Sequence, residues 1–178
     1  YGTVGIDFQQ EPRFGLRDAL ERRFKVGEID NDTLEQVLLK QDENLWLLSS
    51  NPSLELIDFL DDDIMENVLD TLAKTTKFMI LDMPHSWNSI IGNTLIGVDE
   101  LFIVSDTSLT SLRNTQMLFE TLIPNKPSGT HINYIVNMNG IDKNSDISLK
   151  DFEEALGLAP VAVFPFNITV FKIGSAHV

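Results

Sequence analysis

Cysteine is absent from all 178 residues, which removes disulfides, zinc–thiolate centres and thiol nucleophiles and fits a reducing cytoplasm. Positive charge is scarce as well. Thirteen lysines and arginines stand against 27 aspartates and glutamates, a formal net charge of −14. A chain of that charge repels a phosphate backbone, so no nucleic-acid partner is expected. The one cationic cluster, Arg13, Arg17, Arg22, Arg23 and Lys25, is interleaved with Asp18 and Glu21 and reads as a solvated helix face. No apolar run approaches the roughly 18 residues of a membrane span, so no integral membrane segment is expected. No Gly-x-Ser-x-Gly turn exists to present a nucleophilic serine. His85, His131 and His177 lack partners at metal-ligand spacing. No Gly-x-x-x-x-Gly-Lys-Ser/Thr loop is present either; Gly2 and Gly5 flank Thr3 and Val4 without the lysine that would hold phosphates.

What remains is an ordinary globular composition, 43% hydrophobic, long enough for one core. From Leu45 onward short apolar runs alternate with amphipathic stretches, the pattern of a doubly wound, mainly parallel sheet flanked by helices. Strands are expected at Leu45 to Leu48, Phe78 to Asp82, Glu100 to Ser105, His131 to Val136 and Val161 to Phe164, all parallel because each connection carries a helix. Helices are expected behind the acidic run 61–63, where Ile64, Val68, Leu69 and Leu72 recur at helical spacing, and at Trp87 to Val98 and Ser108 to Ile123. Another follows Ser148, which forms a capping box with Asp151, and stops at Gly157. The acidic run favours a helix amino end; a divalent-metal cluster is the alternative, although consecutive helical residues fan out around the axis. Earlier in the chain, Gly15 to Phe24 and Asp32 to Lys40 read as helices.

The stretch Lys77 to Pro84 stands out because four apolar residues run into Asp82 and then a proline. As a buried strand it would deliver a carboxylate to the carboxyl edge of the sheet, where open α/β sheets bind ligands. His85 follows in the same crevice. The residues by themselves reach a ligand-binding α/β domain and no further.

Several segments together carry a resemblance. Gly2 to Asp7, Glu11 to Glu21, Phe78 to Pro84, Ser105 to Asn114, Tyr134 to Gly140, Ile147 to Gly157 and Val163 to Asn167 resemble, in order, the CpaE- and TadZ-like pilus assembly proteins. Those proteins are a branch of the MinD/ParA deviant-Walker P-loop ATPases. The resemblance implies a P-loop NTPase-like fold whose phosphate loop and catalytic-aspartate strand precede Gly2. Residues 1–178 are then a single ATPase-like domain without its N-terminal P-loop portion, and no residue of this chain is assigned a catalytic role. It implies ATP and Mg as cofactors, with Asp82 holding Mg through water, Asn137 reading the adenine edge, and Pro165 and Phe166 bordering the base. Met138 and Asn167 stand where many relatives have arginine and aspartate. The implied role is an ATP-binding switch, a homodimer in the cytoplasm and at the cell pole, working with pilus assembly machinery proteins. A non-catalytic scaffold keeping the fold, or a MinD-like cell-division or partition ATPase, are the alternatives.

Overall fold

The computed structural model describes residues 37–48, 62–141 and 147–169; expectations placed on residues 1–36, 49–61, 142–146 and 170–178, the Gly2 to Asp7 segment, the Gly15 to Phe24 helix and the first part of the Asp32 to Lys40 helix among them, lie outside these. The chain divides into two compact units, Tyr1–Asn93 and Thr94–Val178.

In the first unit, β1 (Leu39–Lys40) pairs antiparallel with β2 (Trp46–Leu47). This corrects two expectations: Lys40 is strand and not helix, and the strand at Trp46 is not parallel to its neighbour. The turn explains both. Asp42 Oδ1 accepts the N–H groups of Asn44 and Leu45 at 2.7 and 2.8 Å, and Gln41 N–H donates to Leu45 O at 2.9 Å, closing a hairpin in place of a helical turn. The Lys40 ammonium lies 5.5 Å from the Trp46 ring centroid across the pair.

Helix α1 (Asp62–Ala73) buries Val68 and Leu72 and ends where Thr75 and Thr76 hydroxyls donate to Leu72 O at 3.0 and 2.9 Å. Helix α2 (Ser89–Gly97) begins two residues later than expected because Asn88 Oδ1 accepts Ile91 N–H at 2.9 Å, as a capping side chain does. The Trp87 ring lies against Gly92, where a Cβ would stand 3.4 Å from it.

The second unit holds a parallel sheet in the order β3 (Glu100–Ser105), β4 (His131–Asn139), β5 (Ala162–Pro165). Helices α3 (Leu109–Leu122) and α4 (Leu149–Leu156) make the two crossovers. Parallel pairing puts Ile103 beside Tyr134 and Ser105 beside Val136, and alternation turns these side chains to one face. There Leu112 and Phe119 of α3 and Phe152 of α4 complete a core with Tyr134 and Val136, so both helices cover the same face. The Tyr134 ring sits 6.4 Å from Phe119 and 5.8 Å from Phe152, and its hydroxyl donates to Leu158 O at 3.0 Å. Burial raises the Tyr134 hydroxyl above its ordinary range, and the nearby Glu153 charge adds to this.

The helix ends follow local chemistry. Ser108 Oγ accepts Ser111 N–H at 3.2 Å to open α3, which closes through a 3₁₀ turn, Ile123–Asn125, containing Pro124. The Ser148–Asp151 capping box opens α4: Asp151 N–H donates to Ser148 Oγ at 3.2 Å, and Ser148 N–H donates back to Asp151 Oδ2 at 2.9 Å. Gly157, at φ 72°, closes α4 in the left-handed region that a side chain resists. The Lys126 ammonium donates to Val98 O at 2.7 Å, joining the segment after α3 to the residues just before β3 within the second unit. Burial holds this lysine below its ordinary range, with Asp99 opposing the shift. Substituting Ser148→Ala is expected to lower stability by about 1 kcal/mol, read as a lower urea midpoint at unchanged slope.

Candidate functional site

Three of the predicted site residues, Asn137, Pro165 and Phe166, lie at the carboxyl ends of the parallel strands in the second unit, where α/β sheets offer their ligand edge. β4 runs past its expected end at Val136, through Asn137 and Asn139. It does so because β5 continues to pair with it beyond a register shift between Val136 and Asn139, ending with Asn139 opposite Pro165. Phe166 N–H then donates to Asn139 O at 2.9 Å. The shift leaves Met138 at φ 54°, a left-handed backbone that a non-glycine residue rarely adopts. Ile141 N–H donates to Met138 O at 3.0 Å, and Gly140, at φ 83°, completes the turn. Bulges of this kind re-aim side chains at functional edges.

Asn137 is half-buried at this bulge. Its Oδ1 accepts Met138 N–H at 2.9 Å, and among the described residues its amide nitrogen donates to no partner. A planar amide therefore keeps its donor and a second carbonyl lone pair for a ligand. The exposed Pro165 and half-buried Phe166 follow on the adjacent strand end. The structure thus brings Asn137, Pro165 and Phe166 to one edge.

Asp106 belongs to the same edge, directly after Ser105, whose register partner is Val136. Its carboxylate accepts Ser108 N–H at 2.9 Å. The Ser108 and Ser111 hydroxyls, with that N–H, hold it below the usual carboxylate range against a smaller desolvation effect. Behind it the buried Ser105 and Thr115 hydroxyls lie 3.3 Å apart, and Thr115 also donates to Ser111 O at 2.8 Å. Asp106 is missing from the sequence-derived site. Its signal was an acid one residue past a strand and two before a capping serine, which is the pattern of an Asx turn.

Asp82 lies in the first unit. The expectation of a buried parallel strand from Phe78 to Asp82 is corrected: this stretch joins no strand ladder among the described residues, with Phe78 90% and Ile80 95% exposed and Asp82 itself exposed. A strand is held by hydrogen bonds to neighbours, and an apolar run without a partner on either side has nothing to fix it in a sheet. Among the described residues no group of three or more His, Asp or Glu side chains could hold a metal ion. No helix among them is long and apolar enough to cross a membrane.

Comparison with protein-family models and with curated proteins finds no match. Among solved structures, a ParA family ATPase from Chlorobium tepidum matches with a TM-score of 0.80 at 19% identity, over 98% of this chain and 71% of that one. The MinC:MinD cell division protein complex of Aquifex aeolicus matches at TM-score 0.69 and 16% identity, over 98% and 69%. MinD from the same organism gives 0.67 and 15%, over 96% and 69%. The fold is that of the ParA and MinD ATPases. In this ParA-like fold the parallel sheet and its flanking helices supply the P-loop NTPase-type α/β architecture expected from the sequence. Its carboxyl edge carries Asp106, Asn137, Pro165 and Phe166.

Proposed function

We propose that this chain belongs to an ATP-binding switch protein of the MinD/ParA type that acts in Tad/Flp pilus assembly and polar localisation. In this reading Asn137 pairs with the adenine edge, Pro165 and Phe166 border the base, and Asp82 orients Mg through water. One observation carries the proposal: an asparagine amide with an unengaged donor stands at the bulged end of β4, beside an aromatic residue on the next strand end. Asparagine can make paired hydrogen bonds to adenine N6 and N7. An aromatic ring suits the flat face of the base. The residues fit the base end of a nucleotide. The phosphate end is another matter, since the sequence carries no Walker-type loop, and the proposal gives this chain no hydrolytic step. The pilus role rests on the ordered segments from Phe78–Pro84 to Val163–Asn167; the fold is equally that of cell-division MinD.

A second reading, a non-catalytic scaffold that keeps the fold for protein contacts, is supported by the structural match to a MinC:MinD complex. Calorimetric titration of the folded chain with ATP and GTP, with and without Mg, separates the two. The switch reading expects ATP to bind more tightly than GTP and more tightly with Mg. Absence of any ATP affinity, with native far-UV circular dichroism, overturns it and leaves the scaffold.

A further inference from the structure

Of the residues at the carboxyl edge, Asp106, Asn137, Pro165 and Phe166, only Asp106 is charged, and the base-site reading gives it no part. β3 stops at Ser105, opposite Val136; extending the parallel register by one residue sets the Asp106 backbone beside that of Asn137, about 4.8 Å across. Both residues are held in place. Ser105 Oγ donates to Asp106 O at 3.2 Å, and the Asp106 carboxylate accepts Ser108 N–H at 2.9 Å. With the Ser108 and Ser111 hydroxyls that makes three donors on a carboxylate that offers about four acceptor sites, so one is left. Asp106 is exposed, and among the described residues no cation pairs with it. The Asn137 amide is fixed as well: its Oδ1 holds Met138 N–H, and flipping the amide would break that bond.

We propose that Asp106 makes the base site selective for 6-aminopurines, accepting the second hydrogen of the exocyclic amine while Asn137 takes the first together with ring nitrogen N7. The inference rests on the base-site reading above and adds to it the group that rejects the competing base. An amino group carries two hydrogens about 120° apart, so acceptors at about 2.9 Å from its nitrogen stand about 5 Å from each other, which is one strand spacing. Asn137 and Asp106, on neighbouring strand ends, supply that pair of acceptors. A 6-oxopurine puts an oxygen at the same point. It then faces the Asn137 carbonyl and the Asp106 carboxylate with no hydrogen between them, and the fixed amide cannot turn to relieve the first contact. Asn137 alone would leave one amine hydrogen unpaired and guanine opposed by a single neutral oxygen; the carboxylate adds a charge-assisted bond to one base and a repulsion to the other.

The test is calorimetric titration of the 178-residue chain and of its Asp106→Asn variant with three probes in the presence of Mg: ATP, GTP and purine riboside triphosphate, which carries hydrogen in place of the 6-amino group. Asparagine keeps an oxygen for Ser108 N–H, so the turn that opens α3 is retained. The variant is expected to bind ATP about tenfold more weakly, the loss of one hydrogen bond to a charged group, and to bind purine riboside triphosphate as wild type does. Its preference for ATP over GTP should narrow by at least the same factor. Equal weakening of ATP and purine riboside triphosphate overturns the proposal and assigns Asp106 to the turn alone. An unchanged ATP-to-GTP ratio overturns it too, as does a selective loss of GTP, which makes Asp106 a reader of guanine. In these three outcomes the base site itself stands. A wild-type chain that binds none of the probes removes the base site and this proposal together, so the two failures are told apart.

Discussion

Replacing Phe152 by alanine is expected to destabilise the protein by about 3–5 kcal/mol, the range for deleting a buried phenyl ring. Phe152 is the one fully buried residue of α4, and its ring packs 5.8 Å from that of Tyr134 at the centre of the core. An eight-residue helix is too short to persist without tertiary support, and the capping box and Gly157 only define its ends. The substitution therefore removes both packing and the anchor that holds α4 on the sheet. Urea denaturation should report a lower midpoint with nearly unchanged slope. A loss below about 1 kcal/mol would mean that the site collapses around the smaller side chain, contrary to a rigid aromatic core.

Asn137→Ala is expected to weaken ATP binding about tenfold, equivalent to about 1.4 kcal/mol, and to narrow the preference for ATP over GTP. The only hydrogen bond of its side chain among the described residues is the local one from Met138 N–H, so stability should change by less than about 1 kcal/mol. Calorimetric titration of wild type and variant measures the affinity, and urea denaturation the stability. A variant that binds ATP and GTP as wild type does removes Asn137 from the base site. One that loses stability and affinity together assigns the residue to holding the bulge.

The features legible in the sequence are those whose causes are local. β3 runs from Glu100 to Ser105 as its apolar pattern predicts, Ser108 opens α3, and the Ser148–Asp151 capping box and Gly157 bound α4. Each is decided by side chains within a few residues. The apolar run Phe78 to Leu81 is different. It signals a strand suited to burial but says nothing of the neighbours that would hold it, and the run stands without a ladder among the described residues. Lys40 likewise fits a helical pattern until the Asp42 turn brings it against Trp46. Of the site, the edge position of Asn137, Pro165 and Phe166 was legible through resemblance. The bulge was not, because it arises from the pairing of β4 with β5 across the α4 crossover. Asp106 was passed over because a loop aspartate beside serines looks like any turn until its carboxylate is seen beside the end of β4's partner strand.

The central claim is that the carboxyl edge of this sheet receives the base of ATP. The most direct measurement is an NMR titration of the isotope-labelled chain with Mg-ATP, following backbone amides and the Asn137 side-chain amide. The account predicts saturable shifts concentrated at Asn137, Met138, Asn139 and Phe166, with the Asn137 amide protons among the largest. ATP that binds and leaves these resonances unmoved, shifting amides elsewhere, would contradict it.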